Sequence, residues 1–163
     1  AMDYGHNVLA WTTLDINLQR ELNRRLINYG VDKDRIVMDP TTAAMGYGLE
    51  YSFSVLQRIR QAGLGGDKEL DLPISNGVTN AWGARESWMG NEIPQEKYNE
   101  DWGPREFRGP LWETLTGLSM IMSGSDLLMA LHPRAVDVLK KMVDRLSGEE
   151  DEISGYQNWI KEI

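Results

Sequence analysis

Cysteine is absent from the 163-residue sequence, and histidine occurs only twice. Without a thiol, the chain forms no disulfide and offers no thiolate nucleophile. It also cannot hold an iron–sulfur cluster or a cysteine-ligated zinc ion by itself. His6 and His132 are far apart in the sequence and neither has a histidine neighbour. We therefore expect no metal site and no cluster on this chain.

Basic residues are also scarce, because 17 Lys and Arg stand against 25 Asp and Glu for a net charge of -8. Such a surface repels phosphates, which excludes nucleic acids and anionic membranes as partners. No stretch approaches the roughly 20 apolar residues of a membrane-spanning helix. Residues 1–6 show no basic start followed by an apolar run, so no secretory signal is visible. The sequence favours a cytoplasmic protein.

The sequence contains four units in which a short apolar strand precedes an amphipathic helix. Apolar runs predict strands over 7–12, 35–40, 72–76 and 126–131. Helical spacing predicts helices over 14–29, 49–62, 110–122 with Pro110 first, and 133–147. The apolar residues predicted to face the core are Ile16, Leu22, Leu26 and Ile27 in the first helix, Leu49, Phe53, Leu56 and Ile59 in the second, and Val136, Leu139, Val143 and Leu146 in the last. A long insert at 77–109 is expected to contain a short helix near 79–89. An acidic linker and an amphipathic turn around Tyr156, Trp159 and Ile160 are predicted within 149–163.

Alternating strands and helices predict an α/β fold with parallel strands and right-handed crossovers over residues 1–148. Two closures are compatible with this order. One is an open four-stranded sheet with helices on both faces. The other is half of an eight-stranded (β/α)₈ barrel, whose usual size is about 250 residues. Because four units are half of that barrel, the sequence suggests a fragment or one half of a larger chain.

In both closures, ligands bind at the carboxyl ends of the strands. The side chains there are mostly neutral and polar, which favours a polar heterocycle or an amide-fringed ligand over a hydrolase substrate. None is predicted to be catalytic. The predicted binding residues are Trp11, Thr12, Thr13, Asp39, Thr41, Thr42, Gly46, Tyr47, Gly48, Asn76 and His132.

Several of these residues also have a purely structural interpretation. Asp39 is either a ligand acceptor or a turn residue, and Asn76 is either a ligand contact or a turn residue before Gly77. His132 is better explained as the cap of the helix that begins at Pro133 than as a ligand or base. Gly46 and Gly48 precede a helix and could hold an anion, but a tight loop is the favoured interpretation.

Four stretches of the sequence carry a family resemblance. The longest and most specific is residues 35–60, which contains the run Asp-Pro-Thr-Thr-Ala-Ala-Met-Gly-Tyr-Gly-Leu-Glu-Tyr. It closely resembles the small subunit of the corrinoid iron–sulfur protein, whose archaeal counterpart is the delta subunit of the acetyl-CoA decarbonylase/synthase complex. Residues 7–15, 109–117 and 123–133 are similar to the same family.

The resemblance implies a (β/α)₈ barrel in which the four predicted strands are strands five to eight, so that the first four are missing here. It implies a non-catalytic scaffold that helps to present a corrinoid for methyl transfer between a tetrahydropterin and acetyl-CoA synthase. This places the chain in the CO dehydrogenase complex of one-carbon metabolism, in methanogenesis or the Wood–Ljungdahl pathway. The implied partners are a large subunit that carries the corrinoid and an iron–sulfur cluster, and the acetyl-CoA synthase complex.

Two alternatives remain open. Asp39-Pro40 and Ser75-Asn76 lie where pterin-dependent methyltransferases of similar fold place pterin-contacting groups, so the chain could instead bind a tetrahydropterin. It could also be an assembly module with no ligand. In either case, a half barrel has two edge strands and should pair with the missing half of the barrel or self-associate.

Overall fold

The computed structural model describes residues 2–89 and 103–148. The predicted linker and turn within 149–163, and the part of the insert that contains Trp102, lie outside the described residues. Within the described ranges, the chain alternates between strands and helices as predicted. The strands are β1 (Val8–Trp11), β2 (Ile36–Asp39), β3 (Ser75–Gly77) and β4 (Leu127–Met129). The α-helices are α1 (Ile16–Asn28), α2 (Leu49–Leu64), α3 (Arg85–Trp88), α4 (Arg105–Ser123) and α5 (Pro133–Leu146).

The strands are parallel and follow one another in chain order. β1 pairs with β2, and β3 pairs with β4. A single parallel bridge between Met38 and Ile74 joins the two pairs. The third strand is shifted from its predicted span of 72–76 to 75–77. Pro73 has no N–H to donate, and it contributes only a carbonyl, which accepts from Met38 N at 2.8 Å.

The core lies between one face of the strands and the helices. Alternate strand residues point to this face because the side-chain period of a strand is two. Ala10, Ile36, Met38 and Ile74 are all at most 2 % exposed there. They pack with α2 and α4 in one cluster whose other fully buried members include Leu56, Ile59 and Met120. The predicted apolar stripe of α2 is therefore confirmed.

The opposite face of the strands carries apolar side chains that are about half exposed in the described part of the chain. Leu9 is 49 % exposed and Trp11 60 % in β1, and Leu127 is 52 % and Met129 46 % in β4. We call these four residues the open sheet face. The strands therefore follow chain order, and α2 and α4 pack on the core face opposite to the open sheet face.

Two helices differ from their predicted form. α4 begins at Arg105 rather than at Pro110, and Pro110 is buried inside it. The proline lies in the second turn, where it removes one helical hydrogen bond without ending the helix. Met122, the last of the apolar residues at helical spacing in α4, is 65 % exposed. The fully buried face of α4 instead includes Gly109, Glu113 and Gly117.

The insert is more regular than an extended loop. A 3-10 helix over Val78–Gly83 precedes α3, so the single short helix predicted near 79–89 is two consecutive short ones. Both pack against α4. No helix in the described part of the chain is long and apolar enough to cross a membrane.

Candidate functional site

The carboxyl ends of β1 and β2 are locked together by the loop that follows β2. Thr12 N donates to Asp39 O at 2.9 Å, which extends the strand pairing by one residue. Thr41 Oγ1 then donates to Thr12 O at 2.6 Å. The predicted strand-end residues of these two units are therefore neighbours, as the parallel arrangement requires.

Thr41 has a strained backbone. Its φ of 69° is the only positive value among the non-glycine residues described. The left-handed region costs a β-branched residue roughly 1–2 kcal/mol. The conformation is maintained because Thr41 N donates to Asp39 Oδ1 at 3.0 Å while its hydroxyl is bonded to β1. Strain of this kind concentrates at binding sites and active sites. This conformation could not be predicted from the sequence, since threonine is not a residue that favours the left-handed region.

Asp39 is the acidic group of this strand edge. Its side chain is only 8 % exposed. Burial raises the pKa of the Asp39 carboxyl, and the hydrogen bond from Thr41 N opposes that shift without cancelling it. A carboxyl that is costly to ionise can accept from a ligand N–H or, when protonated, donate to a ligand acceptor.

A buried polar chain links the end of β1 to α1. Thr12 Oγ1 donates to Gln19 Oε1 at 2.7 Å. Gln19 Nε2 donates to Ala10 O and to Asn23 Oδ1, at 3.1 and 3.0 Å. Asn23 Nδ2 donates to Glu69 O at 2.7 Å. Gln19 and Asn23 are fully buried, although the sequence analysis predicted only the apolar residues of α1 to face the core. The Thr12 hydroxyl therefore donates its hydrogen bond to a buried side chain inside the protein.

A second buried group lies at the end of β3. Asn76 is 0 % exposed, and its Nδ2 donates to Thr42 Oγ1 at 3.0 Å. Asn80 Nδ2 donates to Thr42 O at 2.8 Å. Asn76 Oδ1 has no hydrogen-bond partner among the described residues. Buried polar atoms are nearly always paired in native proteins, so an unpaired amide oxygen behind the strand ends is a notable feature.

The loop that contains Gly46, Tyr47 and Gly48 leads into α2. Both glycines have positive φ, 77° and 99° respectively, and Gly48 is the residue before the helix. The Tyr47 hydroxyl donates to Glu86 Oε2 at 3.1 Å and accepts from Arg85 N at 3.3 Å. The loop is thus anchored to α3, which fits the tight-loop interpretation favoured by the sequence.

His132 lies three residues after the end of β4 and is held in place by contacts with Glu113 and Trp82. His132 is the N-cap of α5, and its side chain accepts from Arg134 N at 3.2 Å. The predicted capping role is therefore confirmed. Its backbone N–H donates to Glu113 Oε2 at 2.9 Å, and its ring stacks on Trp82 at a centroid distance of 6.1 Å. Sequence reasoning missed Glu113, since an isolated acidic residue on a helix gives no signal of burial.

Trp11 and Thr13 remain accessible at the β1 end. With Thr12 and part of α1 they line a cavity of about 410 Å³, whose other residues are Leu18, Glu21, Leu22 and Arg25. Within residues 2–89 and 103–148, no group of three His, Asp or Glu side chains is placed to hold a metal ion. The site is thus a row of strand ends with hydroxyl, amide and imidazole groups, one largely buried carboxyl and an exposed indole.

Comparison with known proteins gives a consistent family assignment. The family described as the CO dehydrogenase/acetyl-CoA synthase delta subunit matches residues 1–93. The delta 1 subunit of the acetyl-CoA decarbonylase/synthase complex of Methanosarcina thermophila is 55% identical over 98% of this chain and 37% of its own length. The delta subunit of Methanocaldococcus jannaschii is 50% identical over 98% of this chain and 38% of its own length. The chain therefore spans little more than a third of these relatives.

Proposed function

Because the chain belongs to the CO dehydrogenase/acetyl-CoA synthase delta subunit family, we propose that it is a scaffold part of that complex. In this proposal, it helps to hold a corrinoid while a methyl group passes between a tetrahydropterin and acetyl-CoA synthase. The corrinoid supplies a cobalt atom that carries the methyl group. The chain supplies positioning and exclusion of water, and its large corrinoid subunit and the acetyl-CoA synthase complex are its partners.

The open sheet face is the observation that supports a scaffold most strongly. Four large apolar side chains on one face of a parallel sheet are about half exposed. Parallel sheets are almost always covered on both faces. We propose that four further β/α units complete a barrel, so that Leu9, Leu127 and Met129 become part of its packed interior while Trp11, the last residue of β1, lies at its mouth.

A cavity at each edge of the sheet also supports the proposal of a completed barrel. The cavity beside β1 described above lies at one edge. A second cavity, of about 330 Å³, lies at the other edge between β4 and α5, and Leu128, Ala130, Val136 and Val143 are among its lining residues. Val136 is 47 % and Val143 43 % exposed, which corrects the prediction that both face the core. α5 packs on α4 through Val138 and Leu139, so its second apolar stripe is left for a partner.

The chemistry of the strand ends fits a corrinoid, which is an apolar ring with neutral amides at its edge. Trp11 offers an exposed aromatic surface. Thr13, Asp39 and the imidazole of His132 offer hydrogen-bonding groups for such amides. The side chains of Thr12, Thr42 and Asn76 lie behind these groups and support them, because they are buried and hydrogen-bonded within the chain.

A second candidate function is tetrahydropterin binding, and the raised pKa of Asp39 favours it. A buried carboxyl at a strand end is suited to the ring N–H groups of a pterin. This function and corrinoid holding differ in the residue on which they depend. Corrinoid binding should depend on the exposed indole of Trp11, whereas pterin binding should depend on the Asp39 carboxyl.

The test is to titrate the subunit, at its full natural length, with cobinamide and separately with a tetrahydropterin. Trp11→Ala should weaken cobinamide binding several-fold, and Leu64→Ala, at the 80 % exposed end of α2, is the matched control. Loss of tetrahydropterin binding in Asp39→Asn, with no cobinamide binding in the wild type, would favour the second function. If neither ligand binds, the chain serves assembly alone.

A further inference from the structure

Glu113 on α4 is a fully buried carboxylate whose hydrogen bonds all serve two other segments of the chain. It is 0 % exposed. Its Oε1 accepts from Leu131 N at 2.5 Å, and its Oε2 accepts from His132 N at 2.9 Å and from Trp82 Nε1 at 3.1 Å. One side chain therefore fixes both the insert and the loop after β4. A buried carboxylate is costly unless it is bonded in this way.

The indole of Trp82 is held against α4 on one side and against His132 on another. A Cβ placed on Gly109 would lie 2.3 Å from Trp82 Cη2, so only glycine admits the ring. Gly109 and Glu113 are one helical turn apart on the same side of α4. The Trp82 ring stacks on the imidazole of His132 at 25° between the planes. The imidazole is thus held at its backbone by Glu113 and at its ring by Trp82.

The contacts of His132 also determine its tautomer. Its Nδ1 accepts from Arg134 N at 3.2 Å. A ring nitrogen that accepts a hydrogen bond carries no proton, so the neutral imidazole bears its proton on Nε2. No hydrogen bond of Nε2 is found among the described residues, and the ring is partly exposed. The capping role uses only Nδ1, and serine, aspartate or asparagine would serve it equally well.

We propose that His132 is a hydrogen-bond donor for a ligand carbonyl oxygen, with Glu113 and Trp82 as its positioning residues. The carbonyl is of the neutral amide type, because the buried Glu113 carboxylate beside His132 disfavours an anionic ligand, and the proton on Nε2 leaves no lone pair for a metal ion. This inference rests on the proposed corrinoid function, since the ring amides of a corrinoid supply such carbonyls at the strand ends. To that function, this inference adds a donor atom, His132 Nε2, and the two residues that position it, Glu113 and Trp82.

The decisive variant is His132→Asn. Asparagine is a favoured N-cap, and its side-chain oxygen replaces the acceptor Nδ1, but it does not extend to the position of Nε2. Cobinamide binding to the subunit at its full natural length should weaken about two- to twelvefold, the range for one neutral hydrogen bond. The denaturation midpoint should stay unchanged, since the cap is kept. His132→Gln, whose longer amide carries an N–H, should recover part of the affinity.

The positioning residues are tested by ring ¹⁵N NMR of histidine, with the His132 signal identified by its loss in His132→Asn. In the wild type, Nε2 should be the protonated nitrogen. Gly109→Ala displaces the Trp82 ring and should produce a mixture of tautomers and a comparable loss of affinity. Gly117→Ala is the matched control on the same side of α4, because its Cβ meets Leu139 at 2.7 Å instead. Trp82→Leu removes the stacked ring without adding volume and should behave like Gly109→Ala.

The outcomes separate this proposal from the function on which it rests. Unchanged cobinamide affinity in His132→Asn, with normal binding by the wild type, overturns the donor role and leaves the corrinoid function standing. A wild-type His132 with its proton on Nδ1 overturns the assigned geometry. Equal effects of Gly109→Ala and Gly117→Ala on the tautomer overturn the positioning role of Trp82. Absence of any cobinamide binding by the wild type overturns the proposed function itself, and the amide carbonyl with it.

Discussion

Replacing Glu113 by glutamine tests how strongly the structure around His132 depends on one buried carboxylate. The side chain keeps its size but loses one acceptor oxygen and its charge. The oxygen that remains can keep two of the three N–H donors, those of Trp82 and His132. The new NH₂ group then faces Leu131 N, a donor that the carboxylate had satisfied.

The magnitude follows from these bonds. Leaving a buried donor unsatisfied costs about 1–3 kcal/mol, and the two remaining bonds lose their charge-assisted strength. Glu113→Gln should therefore lower the free energy of unfolding by about 2–4 kcal/mol. Urea denaturation of the subunit at its full natural length measures this, with an unchanged m-value as the sign that the unfolded state is unaffected.

The matched control is Asp137→Asn, which also removes one negative charge. Asp137 forms an exposed i,i+4 ion pair with Lys141 at 3.2 Å, and such pairs contribute little. This variant should change the free energy of unfolding by less than about 0.5 kcal/mol. A cost for Glu113→Gln as small as that of the control would refute the buried three-donor arrangement.

Three further substitutions have expected outcomes. Burial raises the pKa of Asp39, so the folded state loses stability as pH rises through that pKa. Asp39→Asn should be more stable than the wild type at pH 7 and lose this advantage below about pH 4, as thermal melts across pH will show. Thr41→Val removes the hydroxyl bond to Thr12 O but keeps the strained backbone, so denaturation should show a loss of about 0.5–1.5 kcal/mol. Gln19→Leu leaves Thr12 and Asn23 without their buried partner and should cost about 2–4 kcal/mol by the same assay.

The sequence predicted the order of the elements well, because strand and helix periods are local properties. It also identified His132 as the cap of α5, since the following Pro133 marks a helix start. It could not predict which apolar stripe of a helix is covered. Leu139 of α5 is 5 % exposed and packs against Gly117 of α4, whereas Val136, one turn away on the same helical stripe, is 47 % exposed. Only the position of the neighbouring element decides between such stripes.

The candidate site was predicted by position rather than by geometry. The rule that parallel strands end at one edge predicted that Asp39, Asn76 and His132 lie along the same edge of the sheet. It could not show that Asn76 is buried behind that edge, or that Thr41 has a left-handed backbone. Glu113 was missed because its partners are backbone N–H groups and an indole distant in the sequence, and such a set of contacts has no local pattern.

The central claim is that Leu9, Leu127 and Met129 of the open sheet face become the interior of a completed barrel. Methionine oxidation of the subunit at its full natural length tests it with the natural side chains, because Met129 and Met122 are both exposed here but lie on opposite sides. Met129 lies on the open sheet face and is 46 % exposed, and Met122 lies on the outer side of α4 and is 65 % exposed. The account predicts that mild peroxide converts Met122 to the sulfoxide while Met129 stays protected, as read by peptide mass spectrometry. Oxidation of both at similar rates would contradict it.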